Sequence, residues 1–501
     1  MANNRLRIIS VTDDNLKTSR PQSANRVLTS KEEMLLSRRA PTFNRWFQRG
    51  LYSSRAQVSF PAEVSASIED GGSRVVLSHD HEVELVAPWL WSNDPKWIHP
   101  TSGQRLKTPA DYPGSKIQNV SLIAADDKLM PPPKGSCHSA GGVFSSKQED
   151  HDENLMLQID WEDSGEPSYY FVNWLFERAL PKRSTQVTNQ HALRRDQTLI
   201  EVDFETLQKD ETVRLDLYSA IFQDGAALVR NCPKSFDDDE TTPSALIGKS
   251  LAGSLSHGSL YGHVFHVQSM SQATNLAYTT MGLPPHQDLA YYESPPGLQL
   301  LHCVEQRGMV GGESTLIDGM AAAHALQQLA PDLFDILTAT QATFCKQREG
   351  ADMVAHCPHI QLSQGDIEIV GINWSPPFEG PLRDIERSND YYRAYAAFAL
   401  LVNKDAADHH YGLSPQLCQS LKEYAEEHTF EKLLQEGDML IFNNRRMLHG
   451  RKSFEMVRDD GARHLVGTYT NIDDTLNHYR LLMRKFGWRD GMLNAGNGTK
   501  T

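Results

Sequence analysis

Late in the chain, Asp438-Met439-Leu440-Ile441-Phe442 runs into Asn443-Asn444-Arg445-Arg446-Met447-Leu448-His449-Gly450-Arg451. The turn residues Asp459-Asp460-Gly461 and then His464-Leu465-Val466-Gly467-Thr468-Tyr469-Thr470 follow. Short apolar or alternating runs bounded by Gly, Asp and Asn are strand signals. Residues 298–304, 314–317 and 367–374 read the same way. Glu205–Asp216 and Asp318–Leu337 carry apolar residues at helical spacing, with Asp318 placed to cap the second helix. Short strands joined by turns and flanked by helices predict a mainly β fold with flanking helices. The pattern suits a β-sandwich or a jelly roll, and the form expected over 196–490 is the double-stranded β-helix (jelly roll).

Upstream, Val75-Val76-Leu77, Val83–Val86, Met156–Trp161 and Tyr169–Val172 read as strands, and Phe171–Ala179 as a helix. They predict a small β-rich domain over 58–183, ahead of the jelly roll. Residues 130–155, rich in Pro, Ser, Gly and charge, look like a flexible insertion within it. Residues 1–57 form a separate basic segment, and 491–501 a disordered tail. From Met34 to Gln57 the segment is arginine-rich and has no acid, which is presequence composition. The expectation is import to the mitochondrial matrix, either from a start at Met34 or by an internal signal, the alternative a disordered basic tail on a cytoplasmic protein.

The whole chain has 501 residues, with 64 acidic against 49 basic ones and a net charge of −15. That field repels nucleic acid and anionic membranes. The longest apolar run is Ala394–Val402, far short of the roughly 20 residues of a spanning helix. The expected partner is a small molecule, with no nucleic acid and no membrane; a homodimer is left open. Six scattered cysteines show no CxxC spacing, so a disulfide scaffold or zinc ribbon is not expected and a reducing compartment fits best.

The sharpest chemical feature is Pro284-Pro285-His286-Gln287-Asp288. Residues i and i+2 of a strand share a face, so His286 and Asp288 can grip one metal. Alone the pair is weak. His449, directly after a strand, completes a 2-His-1-carboxylate set that suits non-haem Fe(II) and leaves positions open for a bidentate co-substrate and O₂. Arg463, fourteen residues beyond His449, offers a fork-shaped cation for the far carboxylate of 2-oxoglutarate. The hydroxyl of Ser314, in Gly311-Gly312-Glu313-Ser314, is placed to share that carboxylate. The competing reading is a set of unrelated core or solvated polar residues.

Tyr278-Thr279-Thr280, His286-Gln287-Asp288, Pro295-Pro296-Gly297-Leu298-Gln299-Leu300-Leu301-His302-Cys303, Gly311-Gly312-Glu313-Ser314 and Leu448-His449-Gly450-Arg451 together resemble the gamma-butyrobetaine dioxygenase family. That family belongs with the taurine dioxygenase-like Fe(II)/2-oxoglutarate oxygenases. The likeness covers roughly 195–488 and reaches forward to Trp89-Leu90 and Trp161–Ala179. It implies Fe(II), 2-oxoglutarate and O₂ as cofactor and co-substrates, and ascorbate as reductant. The implied reaction is hydroxylation of an unactivated C–H coupled to release of succinate and CO₂.

The family's substrate carries a trimethylammonium group, which cannot donate hydrogen bonds and is held by aromatic faces. The resemblance implies a cage of Tyr261, Phe265, Tyr278 and Tyr469, with Asn373 toward the substrate's carboxylate end. The alternative is ordinary aromatic packing. Phe265 stands where the family usually has Trp. The family's front-domain zinc is not expected, because Ser92–Pro100 lacks all three thiolates and keeps only His99. His356-Cys357-Pro358-His359 fits no metal-ligand spacing, and His302 and Cys303 are expected in the core or just behind the site.

The function expected is hydroxylation of gamma-butyrobetaine to L-carnitine. Hydroxylation of trimethyllysine or a specialised metabolite is the alternative within the class. A catalytically silent betaine-binding protein is the alternative outside it.

Overall fold

The structure, a computed structural model, describes residues 64–79, 82–99, 104–124, 155–179, 192–256, 260–268, 279–348, 350–363, 368–406 and 411–486. The basic segment 1–57, residues 130–154 of the expected insertion, the tail 491–501 and Tyr278 lie outside these.

Two sheets frame the catalytic region. The larger contains β1 (Glu201–Asp203), β2 (Ala226–Arg230), β3 (Val264–Gln268), β5 (Leu298–Arg307), β8 (Met439–Asn443) and β10 (Ala462–Thr470), in the order β1-β2-β8-β5-β10-β3. The smaller contains β4 (Leu283–His286), β6 (Ser314–Asp318), β7 (Phe430–Lys432) and β9 (Met447–Arg451), in the order β4-β9-β6-β7. β1 and β2 pair in parallel. The other pairings within these two sheets are antiparallel. Both sheets contribute side chains to one cavity, which is the arrangement a jelly roll requires.

Strand β5 shows why the alternation works. Gln299 and Leu301 line the cavity. Leu298 and Leu300, wholly buried on the opposite face, join Met439, Ile441, Ile472 and Leu476 in a second core. Helices α2 (Glu211–Gln223) and α8 (Ile472–Lys485) cover that outer face. Each such buried aliphatic side chain stabilises the fold by about 1.5–3 kcal/mol.

Two helices expected as single pieces are broken. Glu205–Asp216 is divided between α1 (Phe204–Lys209) and α2, because Asp210 leaves helical geometry and its carboxylate takes the Thr212 backbone N–H. Asp318–Leu337 becomes α4 (Gly319–Leu329) and α5 (Pro331–Ala339). Pro331 forces Ala330 out of the helical region, to φ −152° and ψ 72°. Asp318 does cap α4, accepting from the N–H groups of Met320 and Ala321 at 3.0 and 3.1 Å. α4, α5 and the helices α6 (Ser388–Val402) and α7 (Pro415–His428) pack an apolar core that is continuous with the cavity wall.

In the front region, Ser65–Glu69, Arg74–Ser78 and Glu82–Val86 form one antiparallel sheet. Ile117–Ala124, Leu155–Trp161 and Ser168–Phe171 form another. In the loop without thiolates, the buried Asp94 carboxylate accepts from Lys96 N at 3.0 Å and from the Ser168 hydroxyl. Among the described residues no helix is long and apolar enough to cross a membrane.

Candidate metal centre and active site

His286 ends β4, and Asp288 lies just beyond it rather than within the strand. The chain turns sharply there, since Leu289 sits at φ +58°, a region that side chains rarely adopt. Asn444 holds that turn. Its Oδ1 accepts from Asp288 N at 3.0 Å, and its Nδ2 donates to the Asp288 carbonyl at 3.1 Å. His449 comes from β9, whose register sets it directly opposite His286.

The ligand atoms offered by His286, Asp288 and His449 all lie within 4.8 Å of one another. His286 Nε2 is 3.3 Å from Asp288 Oδ1, and His449 Nε2 is 3.9 Å from Oδ2. The Pro284 carbonyl, 2.9 Å from His286 Nδ1, can only accept, so it holds the proton on Nδ1 and turns the Nε2 lone pair inward. Burial pushes the His449 pKa down to about 3, so that imidazole stays neutral, as a metal ligand must. Burial alone would raise the Asp288 pKa. The polar contacts with His286 and His449 and the hydrogen bond from the Tyr469 hydroxyl outweigh it and hold the carboxyl well below the usual range. Two imidazole nitrogens and one anionic oxygen on a single wall are a donor set that fits a divalent first-row metal.

The cavity has a cationic end. Arg463 is buried, its Nε has no hydrogen-bond partner, and among the described residues it has no carboxylate partner. Burial draws its pKa down to about 10, which still leaves it charged at neutral pH. Arg451 stands nearby, and both guanidinium groups lie over the Phe454 ring, at 4.9 and 5.6 Å from its centroid. Ser314 also lines this cavity. A buried cation without a counter-ion is costly, and an entering carboxylate relieves that cost.

The family described as taurine catabolism dioxygenase TauD, TfdA family matches residues 185–469, more than half of the chain. The chain belongs to this dioxygenase family. A gamma-butyrobetaine dioxygenase of Pseudomonas sp. (strain AK-1) is 31% identical over 336 residues, covering 66% of this chain and 79% of that protein. Dioxygenase str8 of Strobilurus tenacellus is 28% identical over 419 residues, 81% of this chain and 87% of its own. The mitochondrial trimethyllysine dioxygenase of Mus musculus is 28% identical over 338 residues, 66% and 73% of the two chains. A solved taurine dioxygenase from Burkholderia xenovorans aligns over 56% of this chain and 90% of its own, at 16% identity and TM-score 0.36.

The aromatic residues of the dioxygenase divide into those at the cavity and those elsewhere. Tyr261, Phe265 and Tyr469 line it, and Tyr278 is outside the described residues. Phe265 and Tyr469 stack on each other, centroids 4.9 Å apart, and so form one wall rather than two opposed faces. Gly467 makes that possible, because a Cβ there would lie 2.2 Å from the Phe265 ring. Tyr291 and Phe378, not anticipated from the sequence, add a second aromatic wall, 5.1 Å between centroids.

Asn373 departs from expectation. Its Nδ2 donates to the Pro358 carbonyl at 2.8 Å, and it is not among the cavity's lining residues. His359 of the unpromoted cluster is satisfied by the Asn373 carbonyl and the Tyr391 hydroxyl, both at 2.8 Å. His302 is fully buried, and burial holds its pKa down to about 4, so it is a neutral core group.

The sequence reading missed Gln299 and Arg451 as site residues, although both stand inside quoted motifs. It also missed Asn444, whose amide acts on backbone atoms.

Proposed function

We propose that this dioxygenase is an Fe(II)- and 2-oxoglutarate-dependent hydroxylase whose substrate is gamma-butyrobetaine, giving L-carnitine, with ascorbate keeping the metal reduced. The observation that carries the reading is the convergence of His286, Asp288 and His449 on a cavity that also holds the buried cation Arg463, which has no carboxylate partner among the described residues. Bound iron chelated by 2-oxoglutarate supplies the oxygen chemistry that no side chain offers. In sum, substrate C–H, 2-oxoglutarate and O₂ give substrate C–OH, succinate and CO₂. His286, Asp288 and His449 hold the metal, Arg463 with Ser314 anchors the far carboxylate of the co-substrate, and the apolar walls exclude water.

The substrate's trimethylammonium group is assigned to Tyr261, Phe265, Tyr278 and Tyr469. The mitochondrial naming of the trimethyllysine dioxygenases supports a mitochondrial matrix location, and the bacterial relative supports a cytoplasmic one. A second reading rests on Asn373. Its Nδ2 donates to Pro358 and it does not line the cavity, so the substrate's far end falls to other groups, and trimethyllysine or another quaternary ammonium metabolite is the second reading.

The deciding experiment measures succinate release with Fe(II), ascorbate and 2-oxoglutarate over a panel of gamma-butyrobetaine, trimethyllysine and neutral molecules of similar size. Stimulation by gamma-butyrobetaine, with a product one oxygen heavier by mass spectrometry, is expected. Stimulation by none of the cations, with a neutral molecule hydroxylated instead, overturns the substrate assignment.

Arg463→Ala removes a charge-assisted pair worth on the order of 2 kcal/mol, so the KM for 2-oxoglutarate should rise roughly 30-fold. An unchanged KM would move the anchor elsewhere, with Arg451 the first alternative. Tyr261→Ala should cost about 1–2 kcal/mol of cation binding, or roughly 5- to 30-fold in substrate KM, and leave the 2-oxoglutarate KM nearly alone. A neutral tert-butyl analogue should bind worse than the cation. Equal binding would reduce the aromatic wall to an apolar surface.

A further inference from the structure

We infer that Gln299 and Tyr469 are positioning residues that select which oxygen of Asp288 faces the metal. The inference rests on the metal-centre reading above and concerns these two residues, which that reading leaves as a strand residue and a cage wall.

Gln299 Nε2 donates to Asp288 Oδ2 at 2.8 Å, and the Tyr469 hydroxyl donates to the same oxygen at 2.7 Å. Both contacts fall in the range of strong, charge-assisted hydrogen bonds. Gln299 and Tyr469 are direct cross-strand partners on β5 and β10. Two neighbouring strands of the large sheet thus present one pair of donors to one oxygen.

The consequence follows from lone-pair arithmetic. A carboxylate oxygen has two in-plane lone pairs, and the two donors occupy both on Oδ2. Oδ1, 3.3 Å from His286 Nε2, is left to turn toward the metal. Asp288 would therefore bind a metal through one oxygen and take up one coordination position. Two imidazoles and one oxygen leave three positions open, which a bidentate keto-acid and O₂ require. Without the donors the carboxylate is free to chelate through both oxygens and close one of those positions.

Tyr469 also carries the Phe265 ring on its face, 4.9 Å away. One side chain thus forms part of the substrate wall and part of the carboxylate clamp, and its ring and its hydroxyl separate the two tasks. Tyr469→Phe keeps the ring and removes the donor. Gln299→Met keeps the length and removes the amide.

The test titrates Co(II) and Mn(II) into the metal-free full chain, for wild type, Tyr469→Phe, Gln299→Met and the control His286→Ala, with thermal melts to show that each is folded. Loss of an outer hydrogen-bond partner should weaken metal binding roughly 10- to 100-fold. The visible Co(II) spectrum at saturation should change in band position or intensity, because the coordination number changes. Metal affinity within twofold of wild type in both variants overturns the inference. So does weaker affinity with an unaltered saturated spectrum, since the hydrogen bonds would then support the site without selecting the oxygen. If wild type and His286→Ala bind metal equally, the metal-centre reading falls, and the clamp falls with it.

Discussion

His286→Ala and Asp288→Ala are each expected to abolish succinate formation coupled to substrate, by more than about 100-fold, while the protein still folds. The lower bound comes from comparison. Removing a group that merely orients a ligand costs roughly 10- to 100-fold in metal affinity or activity, and removing the ligand itself must cost more. Asp288→Ala has two further effects. It leaves the buried Tyr469 hydroxyl and Gln299 amide without their acceptor. It also removes the only carboxylate of the cluster. Metal-loaded protein, succinate by mass spectrometry and circular dichroism together check the expectation. Turnover near that of wild type in either variant would show that the cluster is not the metal centre.

The largest effect on stability is expected at Arg446 and Asp318, which sequence reading did not pair. Both are almost wholly buried, 1% and 2% exposed. Arg446 Nε and Nη2 donate to Asp318 Oδ2 at 2.9 and 2.6 Å. Its Nη1 donates to the carbonyls of Phe222 and Gln223, at the C-terminal end of α2, both at 3.0 Å. The other carboxylate oxygen caps α4. Removing one partner leaves a buried charge uncompensated, so Arg446→Ala should lose about 3–5 kcal/mol of folding stability. Asp318→Ala should lose at least as much, because the cap goes too. Urea unfolding midpoints with unchanged slopes would measure both. A loss below about 1 kcal/mol would mean that water replaces the partner. The pair also bears on the site, since Arg446 immediately precedes β9, and its carbonyl accepts from Gly319 N at 2.9 Å.

Strands β5, β6, β8 and β10 were legible because each is a short run whose apolar residues face a core on one or both sides, whereas β1, β2, β3 and β7 were not read from the sequence. The cluster of His286, Asp288 and His449 was legible from its residue types and their order, although the i, i+2 strand argument for His286 and Asp288 does not hold, because Asp288 lies past the end of β4. What sequence did not disclose depends on register and on competition for hydrogen bonds. That Gln299 and Tyr469 meet on one oxygen follows only once β5 and β10 are paired, 170 positions apart in the chain. Asn373 carries a suitable amide, yet a nearer acceptor, the Pro358 carbonyl, has taken it. The helix over Asp318–Leu337 was drawn too long because its apolar spacing continues across Pro331 while its backbone cannot. The partner of Arg446 is 128 residues away and leaves no local trace.

The imidazoles of His286 and His449 stand on strands of the small sheet, whereas the donors that hold the Asp288 carboxylate stand on the large one. The site is therefore a rivet between two plates. A change in the gap between the plates arrives at the three donor atoms as a change in their spacing, and an ion fastened there resists that change in return. A substrate that wedges against the stacked Phe265 and Tyr469 pushes on the same plate that grips the carboxylate. The wall proposed to receive the guest and the joint that would carry the ion are one mechanical part.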